Sequence, residues 1–541
     1  MGSCRRATNV RKGDNHEFER RTQSSQLFEG RGSHGWSRRF CRHGWLRPPT
    51  SASQELSSTS DSAWDKEVDV VIAGAGGGGL AAAVEASAAG KEVVVCEVMS
   101  SATMSNSALC AGMIQGACTK LQKEAGIDDS VEEFDKYLTA VAEGFENPEL
   151  RRLYAEKSGE TIDWLAEQGA ALSTERLSTQ GTMVDYYTDV TPAVARMHQN
   201  ADGIGAGFTE PLRKKAEEQG AEFMFDTQVT RLLTNTDGEV EGVIVADGGK
   251  EQRIKTRLGV ILNTGGFSRN ADMVRSFMSP AMPGMFNDRP IMGSYGSPWQ
   301  QGDGIMMACA LGAKLVNPWC AYNVAPGLER KVEDNSAGYI SIPGLFVSTD
   351  GQRHVLETGR PTENVVGDVW KQPNGYVWNI WDQGIADATA EYGGPVLYCS
   401  DGFEEEISGG YVVKADTVEE LATALDLDAD TLAKTIAVFN DGAASGADAL
   451  GRQGAIPLMQ PPFFAGRVIA VSPDTAGGVD VNTNTQVLNV FGEVIPRLYA
   501  VGNMVGGFKG KVNAGCGQAL GWTYTSGRIA GQHVVTLEPL A

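Results

Sequence analysis

The run Val68-Asp69-Val70-Val71-Ile72-Ala73 leads without a break into Gly74-Ala75-Gly76-Gly77-Gly78-Gly79. No other feature limits so strongly what this chain can fold into. The first six residues are mostly β-branched and apolar, the pattern of a buried parallel strand. Gly74, Gly76 and Gly79 fit Gly-x-Gly-x-x-Gly. The first allows a tight turn, the second lets backbone approach a pyrophosphate, and the third lets helix and strand pack closely. An Ala-rich helix is expected over Leu80–Ala89, its open N–H groups and positive dipole end facing the phosphates. A second strand, Glu92–Cys96, ends at Glu97, about twenty residues on, where an acid can bind ribose hydroxyls. This order predicts a dinucleotide-binding unit, with NAD and FAD both open.

Composition narrows the class. At 541 residues the chain is too long for one simple core and is expected to form two domains, possibly interleaved. A net charge of -22 argues against a nucleic-acid partner, because phosphate contacts need a basic face. Nine cysteines are scattered with no Cys-x-x-Cys pair, so no ribbon-type zinc site is expected and buried thiols are the ordinary reading. Only His198, His354 and His533 follow the N-terminal region, too few for a histidine-built metal centre, and no metal is expected.

Residues 1–66 stand apart, rich in Arg, Ser and Gly and ending in a Ser-rich stretch. Arg-Arg pairs occur, as in Arg20-Arg21-Thr22 and Ser37-Arg38-Arg39-Phe40, but no apolar stretch follows them. Two readings are open: a disordered tail, or an export signal whose apolar half was lost to a reading-frame error. The first leaves the protein cytoplasmic; the second implies export by the twin-arginine route. No run of about 18 apolar residues occurs anywhere, so no transmembrane helix is expected.

Later motifs separate FAD from NAD. Thr103–Gly112 is a small-residue loop suited to wrapping pyrophosphate and flavin edge. Leu258–Leu262 reads as a buried strand running into Asn263-Thr264-Gly265-Gly266-Phe267. Near the end, Leu498-Tyr499-Ala500-Val501-Gly502-Asn503 closes another strand on glycine, and a helix follows Gly515-Cys516-Gly517-Gln518-Ala519-Leu520-Gly521. Its N-terminus can stabilise negative charge on a reduced flavin. In this order the motifs resemble the superfamily of fumarate reductase and succinate dehydrogenase flavoproteins, urocanate reductases and 3-ketosteroid dehydrogenases. The resemblance covers about residues 67–541. It implies an α/β fold in which a discontinuous Rossmann-like FAD domain, 67–300 and 469–541, carries an inserted α+β capping domain, 301–468. It also implies FAD contacts at Gly74, Gly76, Gly79, Glu97, Ser105, Ala111, Gly112, Gly265, Gly266, Gly502, Asn503, Ala519 and Leu520. With no His in Thr103–Ala111, where relatives attach flavin covalently, the FAD is expected to be non-covalent.

Departures from the family pattern bear on the substrate. Dicarboxylate-reducing members hold both carboxylates with His and Arg. Here no His stands around Asn323–Pro326, Pro473 occupies a second His position, and Lys509-Gly510-Lys511-Val512-Asn513 replaces His-Gly-x-Asn-Arg. A doubly charged substrate needs paired cations, so fumarate is not expected. The turn Gly510–Gly517 matches the steroid dehydrogenases in spacing, with Asn513 where their carbonyl-gripping Tyr stands and Gly517 at their glycine. The family's proton-handling Arg or Tyr falls at Pro361, one residue past Arg360, which is the candidate donor. Tyr295, Tyr322 and Tyr339 are candidate phenols. The expected reaction interconverts C–C and C=C bonds next to a carbonyl, in a 3-ketosteroid or similar enone or unsaturated lactone. An exported, fumarate-reductase-like reductase of an unsaturated lactone or small unsaturated acid, though not of fumarate itself, is the alternative. The electron partner and the direction stay open.

Overall fold

The computed structural model describes residues 63–540, apart from 180–189, 191–192, 279–291, 294–295, 319–320, 323–324, 332–335, 340–341, 360–361, 392–400, 473 and 511–513. Residues 1–62, which carry the Arg-Arg pairs, lie outside the described residues, as do Tyr295, Arg360 and Asn513.

Strand β1 (Lys66–Ala73) sits inside an eight-stranded sheet. Val70, Val71, Ile72 and Ala73 are all fully buried, because the helix that follows the glycine turn packs on one face and the strands Thr227–Thr234 and Val240–Asp247 share a core with the other. Each of the two valines and the isoleucine contributes roughly 1.5–3 kcal/mol by leaving water. Beside β1 run β2 (Val93–Cys96) and the long strand Lys250–Leu262, both parallel to it. Glu222–Met224 extends the sheet beyond β2, and Val494–Ala500 extends it on the other side. The first half of Lys250–Leu262 also carries an antiparallel ribbon with Val240–Asp247 and Thr227–Thr234.

Helix α1 covers Gly77–Ala88 and so starts three residues before the expected Leu80. Glycine's poor helix propensity hides that first turn from a sequence reading. Packing requires it: a Cβ at Gly79 would overlap the Gly74 carbonyl oxygen. The C-terminal helix Gln518–Val534 crosses α1 through further small residues. Gly527 lies against the Gly78 carbonyl, and a Cβ at Gly531 would come within 2.7 Å of the Ala82 oxygen. A larger side chain there would force the two helices apart, at a cost of about 1–3 kcal/mol.

A second, seven-stranded sheet is built around Phe463–Val471. That strand pairs antiparallel with Val377–Asp382, Val412–Ala415 and Ala325–Lys331. Its separate core contains Leu328, Trp381, Leu432, Phe439 and Phe464, with Trp381 stacked on Phe464 at 5.7 Å. Under it, Arg353 makes a two-pronged pair with Glu357 at 2.8 and 2.7 Å and also reaches Asp448. Arg452 lies 3.5 Å from Glu357 and donates to the Gly344 carbonyl at 2.6 Å.

The chain joins the two sheets through paired segments. Leu315–Val316 pairs with Gly478–Val479, and Ala321–Tyr322 with Asp474–Thr475, both antiparallel. Among the described residues no helix is long and apolar enough to cross a membrane.

Candidate active site

Strand register brings four chain segments to one place. Ala73 is level with Cys96 and with Leu262, and Leu262 is level with Ala500. The next residues, Gly74, Glu97, Asn263 and Val501, therefore emerge together at the carboxyl ends of adjacent parallel strands, where open α/β sheets bind ligands. A cleft opens there, spanning about 790 Å³ with its solvent-open mouth included. It is lined by Gly74, Gly76, Glu97, Ser105, Gly265 and Asn503, and also by Asn106, Asn263, Ser297 and Thr523.

The glycine turn is shaped for close approach. Gly74 has φ +104°, a conformation that disfavours any side chain. Gly76 caps α1 with no side-chain hydrogen bond and at an ordinary φ of -72°. Among the described residues no side chain caps the start of α1, so its first N–H groups can receive an anion. The Asn263 amide donates to the Gly74 carbonyl at 3.1 Å and braces the turn from the neighbouring strand.

Glu97 accepts from Ala75 N at 2.7 Å and from Met99 N at 2.9 Å. Burial raises its carboxyl above the usual range, against the pull of those backbone donors. Each oxygen keeps a further lone pair for a ribose hydroxyl. Beyond Glu97 the wall continues through Thr227, Gln228 and Trp299, whose indole N–H donates to Asp303 at 2.8 Å. An uncapped helix start, a buried acid and a cradle without side chains fit the two phosphates and the adenosine half of FAD.

The other residues expected from the sequence occupy identifiable places. Ser105 caps the short helix Asn106–Leu109, accepting from Ala108 N at 3.3 Å. The Ala111 carbonyl accepts from Gln199, and the Gly112 carbonyl from Asn200 N. These two residues, like Gly79, do not line the cleft. Gly266 packs on Thr475. Gly502 has φ +64° and donates to Ser526 Oγ at 3.1 Å. Gly517, φ +99°, starts the C-terminal helix in which Ala519 and Leu520 form the first turn.

The Gly517 turn is held from below. Its carbonyl accepts from Gln115 N at 3.1 Å, while Ala514 O accepts from Tyr137 Oη at 2.6 Å and Gln115 Nε2 at 3.2 Å. Two nearby groups are poor catalysts as they stand. Burial pushes the Cys110 thiol up to about 11 and the His198 imidazole down to about 4.

Sequence reasoning missed Asn106, Asp474 and the setting of Lys509. Asp474 Oδ1 accepts from Asn106 Nδ2 at 3.0 Å and from Asn503 Nδ2. Lys509, 1% exposed, donates to Asn503 Oδ1 at 2.8 Å and to Thr475 O at 3.4 Å. Asn106 Oδ1 accepts from Ser297 N at 2.6 Å. The only signal for this cluster was its proximity in sequence to glycine motifs.

Comparison with known proteins agrees with this geometry. Residues 69–520 match the model of the FAD binding domain family. A probable fumarate reductase of Shewanella frigidimarina is 27% identical over 90% of this chain and 80% of its own length. A digoxin reductase of Eggerthella lenta is 28% identical over 91% of this chain and 93% of its own. The 3-ketosteroid-Δ4-(5α)-dehydrogenase of Rhodococcus jostii, solved with 4-androstene-3,17-dione, superposes with a TM-score of 0.63 at 28% identity, covering 88% of this chain and 99% of that one. A strand-turn-helix cradle, an acid placed for ribose and a family match spanning both sheets lead to one conclusion: this chain belongs to the FAD-binding flavoprotein family of fumarate reductases and is an FAD-dependent oxidoreductase acting on CH–CH groups.

Proposed function

We propose that the enzyme interconverts C–C and C=C bonds next to a carbonyl in a bulky, neutral or weakly charged substrate, a 3-ketosteroid or a similar enone or unsaturated lactone. The observation that carries this reading is the setting of Lys509. It is the one cation of the described clamp segment, and it is buried and committed to Asn503 and Thr475. A substrate carboxylate there would have to draw it away from both. The kinship with a digoxin reductase and a 3-ketosteroid dehydrogenase supports the same choice.

In this reading the second sheet is the cap, about residues 301–468, that closes the substrate site over the first. Bound FAD, held without a covalent bond, supplies or accepts the hydride. The chain's own residues do the rest. The Asn513 amide and the Gly517 N–H grip the carbonyl oxygen and polarise the conjugated bond. Arg360 moves the proton at the carbon next to the one that exchanges hydride. Reduction then adds one hydride and one proton across the double bond, and dehydrogenation removes them.

A small unsaturated acid is the second reading, favoured by the likeness to a probable fumarate reductase. Product analysis separates the two. Chemically reduced enzyme, kept anaerobic, is incubated with a steroid enone, an unsaturated lactone and an unsaturated monoacid. A product two hydrogens heavier from the enone or lactone supports the first reading. Conversion of the acid alone overturns it.

A further inference from the structure

Among the described groups, a buried carboxylate and a buried ammonium share one amide beside the cleft. Asp474 is 9% exposed and Lys509 1%. Asn503 stands between them, donating to Asp474 and accepting from Lys509 at 2.8 Å. Asn106 completes the chain from the opposite wall, donating to Asp474 at 3.0 Å and accepting from Ser297 N at 2.6 Å. Asn106, Ser297 and Asn503 line the cleft, while the two charged residues stand behind them. Holding both charges out of water is costly. Both side-chain hydrogen bonds of Asn503 run to these two charged groups, and Asn106 donates to one of them.

Position gives them a task. Glu97 holds Ala75 at the start of the glycine turn, whereas Ser105 and Ser107 stand beside Gly76. A dinucleotide with its ribose at Glu97 and its pyrophosphate at Gly76 extends its flavin half past Ser105–Ser107, toward Asn106 and Asn503. Lys509 also tops Phe508 at 5.2 Å, and Phe508 stacks on Trp522 of the C-terminal helix at 4.7 Å. The cluster is thereby tied to the C-terminal helix.

We infer that Lys509 and Asp474 set the reduction potential of the bound flavin, acting with opposite sign through the field they create at the ring. Uptake of two electrons and one proton leaves the ring with one more negative charge than before. A cation fixed nearby favours that state and an anion opposes it, with little screening away from bulk water. Both are positioning residues, since neither lines the cleft. The inference rests on FAD occupying this cleft and is independent of which substrate is reduced.

The test is the midpoint potential of the FAD in purified holoenzyme, measured at pH 8 by dye-equilibrated spectroelectrochemistry. Asp474→Asn keeps an Oδ1 acceptor for both amides and removes only the charge; Lys509→Met removes the cation at similar length. Asp474→Asn should raise the potential and Lys509→Met lower it. Each shift should be about tenfold in the oxidised–reduced equilibrium, about 30 mV for two electrons. Lys509→Arg should stay near wild type. Shifts of the same sign, or potentials equal to wild type with FAD retained, overturn the inference. If Lys509→Met does not hold FAD, Asp474→Asn decides alone, and an unchanged or lowered potential rejects the idea.

Discussion

Two buried polar regions of this molecule look alike in composition and differ in what they are for. Under the second sheet, Arg353, Glu357, Asp448 and Arg452 satisfy one another, and both arginines also lie over the Phe439 ring. At the carboxyl ends of the first sheet, the glycine turn, Glu97, Asn106 and Asn503 line a cleft that the described residues leave open. In the first case polar groups are partners for each other; in the second they frame a place for something else. A buried charge is therefore a poor marker of function until one asks whether its partners close the shell around it.

The comparison breaks most sharply at Gly76. Its φ of -72° admits a side chain, and a Cβ there would be 3.0 Å from the Asn263 amide, which can give way. Gly76→Leu should therefore fold, with normal circular dichroism, yet purify without yellow colour because the side chain occupies the pyrophosphate cradle. A yellow Gly76→Leu protein would mean that the cradle is elsewhere. In wild type, acid precipitation should release all FAD and leave a colourless pellet; retained colour would show a covalent link.

The opposite pattern is expected of the second region. Glu357→Gln leaves Arg353 and Arg452 under-compensated, and removing one partner of a buried ion pair costs about 3–5 kcal/mol. Denaturant unfolding should register that loss, while the FAD content of the folded fraction stays complete. An unaltered unfolding midpoint would show that the cluster does not hold the second sheet.

Arg360 and Asn513 sharpen the contrast from the substrate side. Asn513→Ala should slow turnover roughly a hundredfold, the scale of losing one oxyanion-type donor, with FAD content unchanged. Arg360→Lys should also cut turnover sharply, since a lysine lacks the planar fork and differs in basicity. Near wild-type rates in both would remove these residues from the mechanism and leave the FAD cleft intact.

How much of this was legible in advance depended on where each residue finds its partners. The glycine turn and Glu97 could be read because a phosphate and a ribose impose fixed spacings over a short stretch. Asn106 and Asp474 could not, since the bond between them spans 368 positions. Lys509 was read as a substitution in a substrate clamp, and only the fold turns it toward Asn503. The start of α1 was misplaced because glycine propensity argues against a helix that packing demands. The second sheet was expected from family resemblance alone; its strands are mostly short and their pairing is set by distant neighbours.

The smallest expected effect is on stability against pH. Burial raises Asp474 above the usual carboxylate range, with Lys509 and Asn106 pulling it back. A carboxyl with a raised folded-state pKa holds its proton more tightly in the folded protein than in the unfolded chain. Its contribution to stability is therefore complete below the unfolded value and is lost as pH rises toward the folded one. Apoprotein stability, taken as wild type minus Asp474→Asn, should decline across that window. A flat or rising difference would show that the carboxyl is better solvated than its burial implies.

The central claim, that this cleft's flavin serves a neutral conjugated carbonyl compound, is tested most directly by rapid mixing. Anaerobically reduced holoenzyme is mixed with a 3-ketosteroid enone or with fumarate, and the return of oxidised flavin absorbance is timed. The enone should reoxidise the flavin roughly a hundredfold or more faster, because the charged substrate lacks its paired cations. Equal rates, or faster reoxidation by fumarate, would contradict the account.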